Sequence, residues 1–201
     1  MFACLWACSD DDYLNNDAGE VNFFAVPDDA TGEEADLRRS FFNETGIYLI
    51  FSDTLGVREV PTLSGDVVEV PQILRLEWNM VSGTAVDSFV CHAYTDFQAK
   101  QAAADFIRQQ VVPNLPATFH PYSFLLLDRL EQFEDPWGSG IFNDPVDITS
   151  HSGMQAMAVA IHDIGGMTTE ELAELANSLV RELLLSRISV IPDEAWADFY
   201  E

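Results

Sequence analysis

The strongest constraint in this 201-residue chain is the stretch from Thr168 to Arg187. Leu172, Leu175, Ala176, Leu179, Val180, Leu183 and Leu184 recur there three and four residues apart, which puts them on one broad face of an α-helix. Thr168 followed by Glu171 has the form of a capping box. Such a helix is stable only against an apolar layer, because tertiary packing supplies most of its stability. The chain offers strands for that layer. Ile47-Tyr48-Leu49-Ile50-Phe51 is a nearly continuous apolar run that fits a buried strand, closed by a turn at Ser52 to Gly56. Further strands are predicted around Val67 to Trp78, Ala85 to Tyr94, Tyr122 to Leu130 and Met154 to Ile161, with Pro71 marking an edge or a bulge.

Other helices are interspersed among these strands. Thr31-Gly32-Glu33-Glu34 has the form of a second capping box, and Leu37, Phe41 and Phe42 predict a helix over about 33–44, ended by Gly46. Asp96 can cap a helix to about Val112, with Ala99, Ala102, Ala103, Phe106 and Ile107 at helical spacing before Pro113 stops it. Pro192 opens a last short helix. Strands and helices interleave irregularly and some strands form hairpins, so the predicted class is α+β, a mixed β-sheet with packed helices. No glycine-rich strand-to-helix turn is visible, which argues against a nucleotide-binding doubly wound fold.

The sequence carries 34 acidic residues against 9 basic ones, a net charge of −25, with Lys100 the one lysine. That surface repels phosphate backbones and anionic headgroups, so nucleic acid is excluded as a partner. With 48% hydrophobic residues the chain has apolar material for one packed domain. The expected division is a remnant of a signal peptide at 1–8, an acidic tether at 9–30 in which Val21 to Val26 can dock as a short strand, and one α+β domain at 31–201.

The N-terminus points to location. Leu5-Trp6-Ala7-Cys8 resembles a bacterial lipobox, in which a small residue precedes the cysteine that becomes acylated. Ser9-Asp10-Asp11-Asp12 after it resembles the export signal of outer-surface lipoproteins in Bacteroidota. The expectation is a lipid on Cys8 and anchorage to the outer membrane, with a natural start upstream of Met1, since a basic n-region and a full apolar core are missing here. Cys91, in Phe89-Val90-Cys91, reads as an inert buried strand thiol, with His92 on the opposite sheet face.

Phe41 to Leu55 and Pro121 to Asp128 resemble segments of zinc-binding metallopeptidase-like lipoproteins that accompany Sus-type import systems. The order of elements, a backing helix at 96–112, sheet strands, a strand at 154–161 and a long helix at 168–187, is similar to the N-terminal half of a zincin. The resemblance implies a zincin-like fold, importer-associated proteins or glycans as partners, and a C-terminal segment beyond this sequence that supplies a third ligand. It also implies His-Glu-x-x-His on the long helix, since residues four apart share a face that grips zinc while the Glu activates water. The nearest match is Arg181-Glu182-Leu183-Leu184-Leu185. A guanidinium and an alkyl group stand where imidazoles are required, so no metal ligand or catalytic residue is assigned. Leu183 and Leu184 read as core positions and Arg181 and Glu182 as solvated.

Four histidines, His92, His120, His151 and His162, lack helical ligand spacing, although His151 and His162 flank the strand at 154–161 and can meet a distant carboxylate. Ser123, Ser139 and Ser152 lack the setting of an activated nucleophile. Two acidic loops have the hard oxygen donors and nearby glycine that suit calcium: Asp135 with Asn143, Asp144 and Asp147, and Asp28 with Asp29. The first also carries Phe133, Trp137 and Phe142, which serve either to stack on a sugar or to close a core edge. Two functions remain open from the sequence. One is a surface lipoprotein that binds without catalysing. The other is a divergent hydrolase, a peptidase or a glycan-active enzyme with paired carboxylates such as Asp135 and Asp144.

Overall fold

The computed structural model describes residues 21–77 and 86–188. Cys8 and the expected signal remnant, the first part of the tether, the end of the strand expected to reach Trp78, and the helix expected after Pro192 lie outside the described residues. The class is α+β, built on a four-stranded mixed sheet with the order β1-β5-β9-β8. Its strands are β1 (Tyr48–Ile50), β5 (Ser123–Leu127), β9 (Met157–Ala160) and β8 (Ser150–Ser152). The first three run parallel and β8 is the antiparallel edge.

β5 shows why its sequence is so apolar. All five residues of Ser-Phe-Leu-Leu-Leu are buried, because both faces of the strand are covered. Phe124 and Leu126 point to one side and join Leu49, Met157 and Val159 under three helices: α1 (Glu33–Thr45), α2 (Phe97–Phe106) and α3 (Thr169–Ile188). Leu125 and Leu127 point to the other side and meet Ile50, Leu74, Leu76, Leu130 and Ala158. That second core is closed by a three-stranded antiparallel sheet, β4 (Val86–His92), β6 (Arg129–Asp135) and β7 (Val146–Ile148), in the order β4-β6-β7.

The run expected as one strand from Tyr122 to Leu130 is therefore two strands in two sheets. The chain turns at Asp128, whose amide donates to His92 O at 2.9 Å. A matching corner at Thr149 passes the chain from β7 into β8, with Thr149 O accepting from the Ala160 amide. Periodicity along the chain does not register such a corner, because both halves remain extended and apolar.

Other boundaries shift for local reasons. α1 starts at Glu33 with Gly32 as N-cap at φ 110°, and no side chain caps it, so Thr31 does not form the expected box. The box at Thr168 does form. Its hydroxyl accepts from the Glu171 amide at 3.3 Å, and the Glu171 carboxylate accepts from the Thr168 amide at 2.8 Å and its hydroxyl at 2.9 Å. α2 is capped by the Asp96 carboxylate, which accepts from the Ala99 amide at 3.1 Å. It ends as an α-helix at Phe106 rather than running evenly to Val112. A π-helical turn over Ile107–Val111 follows, in which the Val112 amide reaches back to Ile107 O. This wider turn keeps both Ile107 and Val111 in the core just before Pro113, which has no amide to donate.

Among the described residues, β2 (Thr54–Pro61) and β3 (Val67–Ile73) pair only with each other, as a ribbon whose strands are both edges. Pro71 thus sits on an edge, and the bulge falls at Thr54/Gly56 in β2, so the chain enters its strand inside the stretch expected as a turn. Residues 21–30 form turns rather than a docked strand, and they are clamped to the domain. Phe24 is buried, Arg38 donates to Phe24 O, and Arg39 donates to Pro27 O and Ala30 O at 2.7 and 2.6 Å.

Candidate functional site

Two places combine exposed side chains with a fixed frame: the outer face of α3 beside β8, and the loop that joins β6 to β7. On α3 the apolar stripe fixes the rotation of the helix. Leu179 and Leu183 are fully buried, which turns Arg181 outward and leaves Leu185 54% exposed one turn later on the same face. Leu184 packs partly buried against the core. Glu182, expected to be solvated, is half-buried and accepts a hydrogen bond from the Ser150 hydroxyl of β8. The face offers a guanidinium, an alkyl group and an engaged carboxylate. Neither Arg181 nor Leu185 has a lone pair for zinc.

The four histidines are used one at a time. His92 Nε2 lies 2.7 Å from Glu131, His162 Nδ1 lies 3.0 Å from Asp128, His120 Nε2 lies 3.3 Å from Leu115 O, and His151 Nε2 lies 3.3 Å from Leu76 O while its ring packs on Phe89. His151 and His162 therefore have separate partners. Cys91 is half-buried against the second core. Burial, then the nearby charges of Asp53 and Glu77, push its thiol up to about 12, so it is not poised to ionise.

The β6–β7 loop is organised around Asp135. That side chain is 2% exposed and turns back into its own loop. Its Oδ1 accepts from the Trp137 amide and the Ser139 hydroxyl, each at 3.2 Å, and its Oδ2 accepts from the Gly140 amide at 2.6 Å. Gly138 at φ 62° and Gly140 at φ 80° supply the left-handed backbone that aims these donors inward. The Asn143 amide closes the loop on Glu134 O at 2.8 Å. Burial pushes the Asp135 carboxyl up, and the donors from Ser139, Gly140 and Trp137 outweigh it, so the group titrates below the usual carboxylate value.

The four oxygen-bearing residues expected for calcium divide between two tasks. Asp135 staples the loop, and Asp147 on β7 accepts from Arg129 Nε at 2.7 Å. Asn143 and Asp144 are exposed. Among the described residues, no three metal-binding side chains converge, at this loop or at Asp28 and Asp29. A carboxylate held ionised and enclosed by donors is also a poor general acid, which weighs against Asp135 and Asp144 as a glycosidase pair. What the staple does is hold apolar side chains in solvent: Trp137 is 82% exposed, Ile141 77% and Phe142 42%. Of the loop's aromatic residues only Phe133 is half-buried.

No family model matches the chain, and no curated protein or solved structure matches it significantly. The site stands on its geometry alone.

Proposed function

We propose that this chain is a lipid-anchored protein of the outer cell surface that binds rather than catalyses, related in fold to zinc metallopeptidases. The observation that carries this reading is the outer face of α3. A long helix follows the sheet strand β9 and touches the edge strand β8, an order compatible with a zincin-like helix. At the two positions that would grip zinc it exposes Arg181 and Leu185. On this reading a zincin-like frame is kept with its chemistry replaced, as in a protein that keeps a fold for binding. The stapled loop supports the same reading, because a rigid tip with Trp137 and Phe142 in solvent costs little entropy on contact with a partner. Glycans or importer-associated proteins are the partners this reading favours. Cys8 followed by Ser9 and three aspartates supports the anchor.

The test uses the full gene, with its upstream sequence, in an envelope-containing host. An alkyne-tagged fatty acid should label the protein, Cys8→Ala should abolish the label, and protease added to intact cells should digest the domain. The purified protein should carry no stoichiometric zinc and cleave no member of a peptide panel. Recovery from the cytoplasm with unacylated Cys8 refutes the anchor. Unit zinc, or turnover lost in Asp135→Asn, refutes the binding role and favours the hydrolase.

A further inference from the structure

A pocket of about 240 Å³ opens between α1 and the segment 24–28, which links turns closed at Asn22/Ala25 and Pro27/Ala30. Its lining includes Phe24, Arg38, Arg39, Phe42, Asn43 and Tyr48. Two features bear on what it can hold. The first is aromatic. Phe42, on the outer side of α1, stacks on Tyr48 with ring centroids 4.5 Å apart and planes within 19°. Tyr48 in turn contacts Tyr122 at 5.1 Å, and Phe24 meets Tyr122 edge-on at 5.0 Å. Asn22 Nδ2 donates to the Tyr48 hydroxyl at 2.9 Å, which fixes that ring from its polar end. Phe42 remains partly exposed, so a flat apolar edge faces solvent beside the cavity.

The second feature is charge. Arg38 and Arg39 both line the pocket, against the one carboxylate of Asp28. Arg39 is committed: it binds the carbonyls of Pro27 and Ala30, and Asp36 at 3.4 Å. Arg38 is different. It is half-buried, its Nε donates to Leu49 O at 2.7 Å and its Nη2 to Phe24 O at 3.1 Å. Among the described residues it forms no ion pair, and its Nη1 has no hydrogen-bond partner. Burial lowers its pKa, with the charge of Glu34 opposing, yet a guanidinium remains protonated at any physiological pH. A held cation with spare donor capacity at a cavity wall is a group that one carboxylate can pair with, while Asp28 in the lining and Glu34 nearby limit how much negative charge the site accepts.

We propose that this pocket binds a small molecule with a single ring and one carboxylate, the carboxylate on Arg38 and the ring against Phe42. The volume lies just below the range of roughly 300–1,000 Å³ typical of drug-sized ligands, so one ring fits and a polymer does not. Asp28 at the lining disfavours a second negative charge. The shared chemistry has two sources, a sugar acid and an aromatic acid. This proposal is independent of the lipid anchor and of the face of α3.

The full chain, ¹⁵N-labelled, is titrated with glucuronate and with benzoate, each beside its uncharged counterpart, glucose or benzyl alcohol. At least one acid should give saturable shifts confined to 24–28, 38–43 and 48–49, with the neutral counterpart at least tenfold weaker. Phe42→Ala should weaken binding about tenfold with circular dichroism unchanged. Arg38→Lys, which keeps the charge and loses the fork, should weaken it further. Response to the sugar acid alone or the aromatic acid alone assigns the source. Silence to both acids overturns the proposal, as does equal binding of the neutral partners or an indifferent Phe42→Ala.

Discussion

Truncating two leucines on the same helix separates its buried face from its open one. Leu179 is fully buried in the core under the sheet, and Leu183 one turn on is likewise closed from solvent. Leu179→Ala removes the buried methyl groups and leaves a cavity, at a cost of about 3–4 kcal/mol. Leu185 keeps more than half its surface in water, so its truncation forfeits at most half of the roughly 2 kcal/mol that full burial of a leucine is worth. Alanine's slightly higher helix propensity returns a few tenths, leaving a net loss under about 1 kcal/mol. With a urea slope of about 2 kcal/mol per M, the midpoint should fall by roughly 1.5–2 M for Leu179→Ala and by less than about 0.5 M for Leu185→Ala, at unchanged slope. Circular dichroism at 222 nm in a urea titration reads both. Equal shifts would mean that the 181/185 face is packed away, and the case for an open, chemically replaced face on α3 would fail.

Four further outcomes are expected. Thr168→Ala should cost about 1 kcal/mol in the same titration by removing a formed cap, whereas Thr31→Ala should change nothing measurable, because Gly32 caps α1 without any side chain. Alkylation of Cys91 at pH 8, followed by peptide mapping, should be roughly 10³-fold slower than for a free thiol, as expected from a pKa of about 12 against 9.0; a rate near that of a free thiol would contradict its burial. Asp135 has its carboxyl depressed in the folded state, so its stabilisation is fully present above the unfolded value of about 3.9 and is lost as pH falls through the lower folded value. The Gly140 and Trp137 amide resonances should report that midpoint, and Asp135→Asn should abolish their titration. Trp137→Ala should leave stability within about 0.5 kcal/mol, since the side chain stands in solvent, and a larger loss in thermal unfolding would show that the tip packs on the body.

Much of the secondary structure was legible along the chain. The helical stripe at 172–184 and the box at Thr168 gave α3 almost to the residue, and Asp96 gave the start of α2. Those signals are local, since capping and periodicity act within one or two turns. The corners at Asp128 and Thr149 were illegible, because a strand that changes sheets keeps its extended backbone and its apolar residues. The two acidic loops were readable as composition only. Whether Asp135 faces a cation or its own loop depends on where Gly138 and Gly140 direct the amides, and that is a matter of backbone angles.

The pocket beside α1 was farther from reach. Two adjacent arginines carry no spacing signal that marks a site, so Arg38-Arg39 drew no expectation, and Phe24, Phe42, Tyr48 and Tyr122 meet from separate segments.

Residue order alone determined that this chain packs an amphipathic helix on apolar strands, and that a cation and an alkyl group occupy positions 181 and 185, because side-chain chemistry and helical spacing need no third dimension. Only the tertiary structure decided that this pair faces solvent, that Asp135 serves its own loop, and that the Arg38 guanidinium makes no ion pair among the described residues. Those outcomes depend on which groups from distant segments arrive within about 3 Å of one another, a distance that sequence separation does not encode.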